Sequence, residues 1–160
     1  MTKQTKSVLL AAGGTGGHLF PAQALAEELG RRGVPVDLAT DMRGDRYGMG
    51  FPARSVHRLP SATLGSKSPI AIARTGWLLT RGLVAALGLV GKLKPGIVIG
   101  FGGYPTFAPI KAGQLRGVPT LLHEQNAVLG RANKMLAPGV TGIATSFAST
   151  KYLSPELASK

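Results

Sequence analysis

The 160-residue chain contains no cysteine. It can therefore form neither a disulfide framework nor a thiolate metal site, and its composition is compatible with a reducing compartment. Its three histidines are dispersed and its carboxylates are scarce. Residue types that bind metals are thus not gathered at any ligand spacing, and we expect no metal and no tightly bound cofactor.

Acidic residues are also few, with 7 against 19 basic residues and a formal net charge of +12. Such an excess implies an anionic partner: nucleic acid, acidic lipid head groups or a phosphorylated substrate. Aromatic residues make up only 6% of the chain, and no helix-turn-helix, RNP or zinc-finger signature is present. The composition therefore favours a membrane surface or a phosphorylated substrate, and no nucleic acid is expected.

Long uncharged apolar runs are missing as well. The most apolar segment, residues 67–94, is interrupted by Arg74 and Arg81. Its longest uncharged run is about ten residues, half of what a bilayer requires, so we do not expect it to span a membrane. Glycines at positions 76, 82, 88 and 91 indicate that the segment breaks into two helices.

The charged and apolar residues of this segment separate on a helix. At about 100° per residue, Lys67, Arg74 and Arg81 form one stripe. The residues expected to face the core are Ile72, Leu79, Leu83 and Val90. Two interpretations remain open: a buried helix whose arginines reach water, or a surface that lies on an anionic membrane. The residues of that surface would be Lys67, Ile70, Arg74, Trp77, Leu78 and Arg81.

The chain opens with a strand, a glycine-rich loop and a helix. The apolar run 8–12 precedes Gly13, Gly14, Thr15, Gly16 and Gly17, and the helical pattern starts after His18 with Pro21 in its first turn. Glycines allow close backbone approach, and the unpaired N–H groups of a helix start attract anions. This segment therefore predicts a phosphate or pyrophosphate site.

Further strands are predicted at 34–40, 54–59, 97–99, 119–123 and 140–145. Helices are predicted from Thr106 toward Arg116, before Pro138 and from Ser154 onward. This alternation predicts an α/β fold, a Rossmann-like doubly wound parallel sheet, as one domain over residues 1–160. A second glycine loop, GFGGYPTFAP, and the segment HEQN both follow strands. The carboxyl ends of parallel strands share one edge, so these loops should meet the first glycine loop there.

Several side chains in these loops can act on a substrate. His18, near a positive helix end, should stay neutral, and it is either a general base, a phosphate ligand or a structural cap. Glu124 is either an acid/base or a positioning carboxylate, and Asn126 suits hydrogen bonds to sugar hydroxyls or backbone. His57 is interpreted as structural. Asp41 could bind a ribose in a dinucleotide-dependent oxidoreductase, but G-x-G-x-x-G fails at Leu19 and no Gly-Lys-Ser/Thr follows.

Three motifs in order, GGTGGH, GFGGYP and HEQNAVLGRANK, closely resemble the N-terminal half of the MurG family of bacterial glycosyltransferases. That family moves N-acetylglucosamine from UDP-N-acetylglucosamine to an undecaprenyl-pyrophosphoryl-N-acetylmuramoyl-pentapeptide, with inversion and without a covalent intermediate. The resemblance implies a two-domain B-type (GT-B) fold, peripheral attachment to the cytoplasmic face of the inner membrane, and an anionic membrane surface as partner for the segment from Ile70 to Arg81.

The resemblance also implies roles for individual residues. His18 would be the catalytic base for the muramoyl 4-hydroxyl. The residues that would cradle the acceptor pyrophosphate are Gly14, Thr15, Gly16, Gly17, Gly102, Gly103 and Tyr104. Those that would line the cleft near the transferred sugar are Glu124, Gln125 and Asn126.

The family's second domain, which holds the UDP-sugar, has no counterpart in the 160 residues. We therefore expect this chain to be inactive alone, either as part of a longer enzyme or as one subunit of a split enzyme. A non-catalytic membrane-docking subunit is the alternative interpretation.

Overall fold

The computed structural model describes residues 5–41, 50–62 and 68–160. Lys67 and most of the predicted loop 41–50 lie outside these ranges. The strands are β1 (Val8–Ala11), β2 (Val36–Thr40), β3 (Ser55–Arg58), β4 (Ile97–Gly100), β5 (Thr120–Glu124) and β6 (Gly142–Thr145). The α-helices are α1 (Gly16–Arg31), α2 (Pro69–Leu93), α3 (Phe107–Leu115), α4 (Arg131–Leu136) and α5 (Pro155–Ala158). Short 3-10 helices cover Tyr104–Thr106 and Ala137–Gly139.

The six described strands form one parallel sheet in the order β3-β2-β1-β4-β5-β6. The chain thus starts in the middle of the sheet, builds one side, and returns past β1 to build the other. This order confirms the predicted Rossmann-like fold. Its switch point lies between β1 and β4, where loops diverge to opposite faces and leave a crevice at the carboxyl ends of the strands.

The central strands are buried on both faces, which explains their unbroken apolar sequence. In β1, Leu9 and Ala11 pack against the core cluster that contains residues of α2 and α3. Val8 and Leu10 point to the other face, where they pack with residues of α1 such as Ala22. Apolar burial on both faces holds β1 and β4 in fixed register, so the loops that follow them have fixed starting points.

Helix α1 begins earlier than the sequence predicts. It starts at Gly16, with Thr15 as an extended N-cap residue, so Gly17 and His18 belong to its first turn. The prediction that Pro21 occupies the first turn is therefore wrong, because Pro21 lies in the second. With this early start, His18 lies in the first turn of α1 and against the second glycine loop.

Helix α2 is continuous, so the predicted break is wrong. One glycine, Gly82, is required by packing rather than by a break, since a Cβ there would overlap the carbonyl oxygen of Pro60. The core side of the helix runs through Ala86 and Val90, as predicted for Val90. Ile72, however, is 53% exposed, so its predicted core position is wrong. Among the described residues, apolar side chains of α2 pack on the core cluster only from Leu83 onward.

By length and mean hydropathy, 1.3 over Ile70–Leu93, α2 meets the criteria for a membrane-crossing helix, which core helices of soluble proteins also meet. Arg74 and Arg81, which interrupt its apolar sequence, argue against a membrane-crossing helix. The packing of Ala86 and Val90 in the core commits one face of the C-terminal half of α2 to the domain.

Thr106 does not cap α3 as predicted. Its buried hydroxyl lies 2.7 Å from the carbonyl oxygen of Gly102 and 3.0 Å from that of Ala11, and it bonds to both. The predicted C-terminal helix is confirmed as the short α5, where Ser154 Oγ accepts from the N–H of Leu157. Thr106 thus ties the second glycine loop to the end of β1, which holds the two glycine loops together.

Candidate active site

Three loops meet at the switch point of the sheet, as the sequence predicts. We call residues 13–18, 101–104 and 123–126, which follow or end β1, β4 and β5, the loop cluster. The His18 ring lies directly on the second glycine loop. A Cβ built on Gly102 would be 3.2 Å from His18 Nδ1, and one on Gly103 would be 3.1 Å from His18 Cδ2. Both glycines also have positive φ, +91° and +75°, so no other residue suits either position.

The first glycine loop presents backbone to solvent. Gly14 has φ +84°, and no atom lies within 4 Å of a Cβ built there. Thr15 is exposed, and its carbonyl accepts from the N–H groups of His18 and Leu19. The N–H groups of Gly16 and Gly17, in the first turn of α1, have no acceptor within their own helix. This is the backbone arrangement that suits a phosphate group.

Asp41 does not face this crevice. The residue is 3% exposed, and its Oδ1 would lie 3.2 Å from a Cβ on Gly13, at the base of the first loop. Gly13 is also enclosed by Thr40 and Pro105. A buried carboxylate beneath the loop is poorly placed to bind the ribose of a dinucleotide, so the geometry does not favour the oxidoreductase alternative.

The His18 side chain is held from the opposite side by Gln125. The distance from Gln125 Nε2 to His18 Nδ1 is 2.6 Å. Burial of the ring lowers the pKa of His18 below its ordinary value of 6.5, and the Glu124 carboxylate and a hydrogen bond to the Phe101 carbonyl only partly oppose this. The direction is the predicted one, although burial, rather than the helix N-terminus, is the leading cause. The ring is therefore neutral at pH 7.

The Glu124 carboxylate is buried and fully engaged. Its side chain is among the largest fully buried ones, and the residue is 1% exposed. Oε1 accepts from the backbone N–H and Nδ2 of Asn126, each at 3.0 Å. Oε2 accepts from the N–H of Gly130 and from Asn133 Nδ2, each at 2.9 Å. Burial alone would raise the pKa of Glu124, but these four hydrogen bonds together lower it below its ordinary value.

This geometry favours the positioning role for Glu124 over the acid/base role, because all four bonds stabilise the ionised form. Asn126, although exposed, turns both its N–H and its side-chain amide toward Glu124. Of the three polar residues predicted to line the cleft, Gln125 is thus the one that contacts His18. Glu124 and Asn126 shape the loop that carries it.

Asn133 belongs to the same network and was not singled out from the sequence. It is 1% exposed, and its Nδ2 donates to Glu124 Oε2 and to the backbone carbonyl of His123. The sequence feature that could have indicated Asn133 is its place in a short helix, on the face of Ala132 and Leu136, which are buried. A buried amide requires hydrogen-bond partners, and the nearest carboxylate in the motif is Glu124.

Tyr104 lies at the outer rim of the loop cluster. Together with Arg131, Lys134 and Met135 it lines an open pocket of about 410 Å³. His57, by contrast, lies on β3 opposite Ala39, one strand beyond β2 and away from the loop cluster. Its structural interpretation fits this position.

The family model for the glycosyltransferase family 28 N-terminal domain matches residues 8–145, which include the whole loop cluster. The chain belongs to this family. Its match with the family 28 domain covers all six strands and the four longest helices.

Individual family 28 relatives are closely similar. A protein of Rhizobium leguminosarum bv. trifolii (strain WSM2304), named UDP-N-acetylglucosamine–N-acetylmuramyl-(pentapeptide) pyrophosphoryl-undecaprenol N-acetylglucosamine transferase, is 60% identical over 88% of this chain. A protein of the same name from Chelativorans sp. (strain BNC1) is 56% identical over 89%. The alignments cover 37% and 38% of those proteins, so this chain spans little more than a third of their length.

Solved structures agree on the fold. The crystal structure of Acinetobacter baumannii MurG superposes with a TM-score of 0.79 and 26% identity, over 94% of this chain and 44% of that protein. The calicheamicin glycosyltransferase CalG4 gives a TM-score of 0.55 and 20% identity over 76% of this chain and 32% of its own. The fold is thus the N-terminal half of a GT-B glycosyltransferase, as predicted.

Proposed function

We propose that this chain is the acceptor-binding half of an inverting glycosyltransferase of peptidoglycan synthesis. The donor would be UDP-N-acetylglucosamine, and the acceptor the lipid-linked N-acetylmuramoyl-pentapeptide named for its relatives. The observation that carries the proposal is the loop cluster: two glycine loops and a neutral histidine meet at the switch point of a domain 60% identical to a named transferase. The UDP-sugar would be bound mainly by a second domain.

The reaction requires one base and one leaving group. The muramoyl 4-hydroxyl oxygen attacks C1 of N-acetylglucosamine, and the bond from C1 to the UDP oxygen breaks. UDP leaves with the electron pair, and the hydroxyl proton passes to His18. A ring that is neutral at pH 7 can accept that proton, and general-base catalysis of this kind is worth about 100-fold to 10,000-fold.

The glycine loops suit the pyrophosphate of the acceptor. The residues for this role are Gly14, Thr15, Gly16 and Gly17 of the first loop and Gly102, Gly103 and Tyr104 of the second. Gly14 leaves open space above its backbone, and the first N–H groups of α1 have no acceptor within their own helix. Backbone N–H groups of the loops, together with Arg131 and Lys134 beside Tyr104, would offset the phosphate charge, so the proposal includes no metal.

Transfer of labelled N-acetylglucosamine from its UDP donor to a soluble acceptor analogue tests the proposal. We expect no turnover with this chain alone and turnover when the C-terminal half of a rhizobial relative is added. In the active mixture, His18→Ala should lower the rate about 100-fold or more. His57→Ala is the matched control, and should leave the rate within a factor of two or so.

Each outcome has a definite meaning. If the mixture is active and His18→Ala has no effect, His18 is not the base, and a non-catalytic docking role gains support. If the mixture shows no transfer and this chain also fails to bind the acceptor analogue, the proposal is overturned. Activity of this chain alone would show a donor site within its 160 residues.

We also propose that the N-terminal half of α2 rests on an anionic membrane surface at the cytoplasmic face of the inner membrane. Ile70 is 82% exposed and Trp77 64% exposed, and Arg74 and Arg81 are exposed on the same face of the helix. Leu78 is half-buried at its margin, and Lys67 lies outside the described residues. Apolar side chains beside arginines suit the interface of an anionic bilayer. We call Ile70, Arg74, Trp77 and Arg81 the α2 patch.

Sedimentation with vesicles that contain anionic lipid tests this surface. Replacement of Trp77 and Arg81 by glutamate should abolish sedimentation without a loss of stability, because both side chains are exposed. The control replaces Leu115 and Lys92 by glutamate. This pair also removes one exposed apolar residue and one exposed cation, and Lys92 lies about 22 Å along the helix from Trp77. Equal sedimentation of both variants would contradict the assignment.

A further inference from the structure

The contact between Gln125 and His18 carries an inference about how the ring is set for catalysis. Gln125 Nε2 lies 2.6 Å from His18 Nδ1. The other end of the same amide, Oε1, is buried and has no hydrogen-bond partner among the described residues. A buried carbonyl oxygen without a partner is costly, and each such group in a folded protein calls for an explanation.

The two ends of the amide impose opposite tautomers on the ring. If Nε2 of the amide faces Nδ1, it donates, and the ring proton must be on the far nitrogen, His18 Nε2. If Oε1 faces Nδ1, it accepts from Nδ1–H, and His18 Nε2 keeps its lone pair. The first arrangement makes the far nitrogen a donor that suits a phosphate ligand. The second makes it the acceptor that a general base requires.

These two arrangements are the two functional roles that the sequence leaves open for His18. We propose that Gln125 is the positioning residue that selects between them, and that its Oε1 accepts from Nδ1–H of His18 both in the free chain and in the reactive state. This inference rests on the proposed function. Amide rotation by about 180° exchanges the two ends without moving the backbone, so Oε1 gains His18 as its partner and Nε2 takes the position that Oε1 leaves.

The groups around the His18 ring explain why an amide, rather than a carboxylate, suits position 125. Glu124 is the ionised group that faces His18, and its oxygens are occupied by other donors. The Phe101 carbonyl is the remaining acceptor at the ring, and the backbone of Gly102 and Gly103 covers its face. A neutral amide orients the ring and stabilises the imidazolium less than a carboxylate would, which keeps the ring unprotonated before the reaction.

Nitrogen-15 NMR of the histidine rings in this chain tests the proposal without any catalysis. Long-range proton–nitrogen correlations distinguish the Nδ1–H from the Nε2–H tautomer, and with three histidines His18 is assigned by substitution. We expect the Nδ1–H tautomer for His18 at pH 8, and loss of that preference in Gln125→Leu. Gln125→Glu should raise the pKa of His18, since it places a carboxylate at Nδ1.

Gln114→Leu is the matched control, because it makes the same chemical change on α3, away from the ring. Its His18 signals should not differ from those of the parent, and amide spectra of each variant verify the fold. A predominantly Nε2–H ring in the parent, or an unchanged tautomer in Gln125→Leu, would overturn the proposal. Because this readout needs no substrate, its failure is distinct from failure of the transfer assay.

The reconstituted transferase supplies a second readout. Gln125→Leu should lower kcat with little change in KM for the acceptor, whereas Gln125→Glu should retain more activity and shift the acidic limb of the pH–rate profile upward. An effect of both variants on KM alone would mean that Gln125 contacts the substrate instead of positioning His18, and would overturn the proposal.

Discussion

The loop cluster and the α2 patch are built on opposite principles. In the loop cluster, the buried Glu124 binds Asn126, Gly130 and Asn133, and glycines fit closely around His18. In the α2 patch, Ile70 and Trp77 are largely exposed and touch little of the domain. A substitution in the first region should therefore reduce stability as well as function. A substitution in the α2 patch should change only what this surface binds.

The largest expected effect on stability is at Glu124. Glu124→Leu leaves the N–H of Gly130 without its acceptor and removes the carboxylate that accepts from the amides of Asn126 and Asn133. We expect the free energy of unfolding to fall by about 3 kcal/mol or more, because hydrogen bonds to a charged group contribute about 1.5–3 kcal/mol each and are not additive. Urea denaturation measures this change.

Glu156→Leu is the control for that prediction, since Glu156 is exposed on α5. It should change the free energy of unfolding by less than about 0.5 kcal/mol. If Glu124→Leu is equally mild, the loop cluster does not depend on its carboxylate, and the contrast with the α2 patch fails.

Smaller effects are expected from substitutions at two glycines of α2. One lies in the packed half of the helix and the other in the exposed half. In Gly82→Ala the new Cβ overlaps the Pro60 carbonyl oxygen, so we expect a loss of about 1–3 kcal/mol. In Gly76→Ala the Cβ meets no atom within 4 Å, and the helix should gain about 0.5–1 kcal/mol. Thermal unfolding of the two variants gives the comparison. A gain in both would show that the C-terminal half of α2 is not tightly packed.

The smallest effect is the dependence of stability on pH through His18. Its pKa is lowered in the folded state, so the folded chain binds fewer protons than the unfolded one. The contribution is fully present above pH 6.5, the unfolded value, and is lost as the pH falls through the folded pKa. The free energy of unfolding should therefore decrease on acidification below pH 6.5, and less so in His18→Gln.

Glu124 also makes the free energy of unfolding decrease on acidification, but at lower pH than His18. Its folded pKa is depressed, so its contribution is present above about 4.5 and is lost as the pH falls through the folded pKa. Glu124→Leu should remove this step and leave the His18 step in place. Trp77→Glu, in the α2 patch, should alter neither step. Urea denaturation of the three variants between pH 8 and about pH 2.5 separates the two contributions.

Much of the fold could be predicted from local sequence. Uniformly apolar runs such as Ile97–Ile99 indicated buried parallel strands, and glycine loops after two of them located the edge that carries the site. The boundaries of α1 could not be predicted, because nothing local indicates that Gly16 and Gly17 are helical. Their conformation depends on Thr15 and on the packing of His18 against the second loop.

The sequence by itself determined the parallel α/β fold class, the convergence of the three loops and the position of His18 in one of them, because apolar patterning and glycine spacing are local properties. Only the tertiary structure decided that Gln125 contacts His18, that Glu124 is fully bonded and that Ile72 is exposed. The first of these contacts joins residues distant in the chain, since Gln125 and His18 are 107 positions apart. Such contacts arise from the order of strands in the sheet, and no local pattern encodes which side chains meet across it.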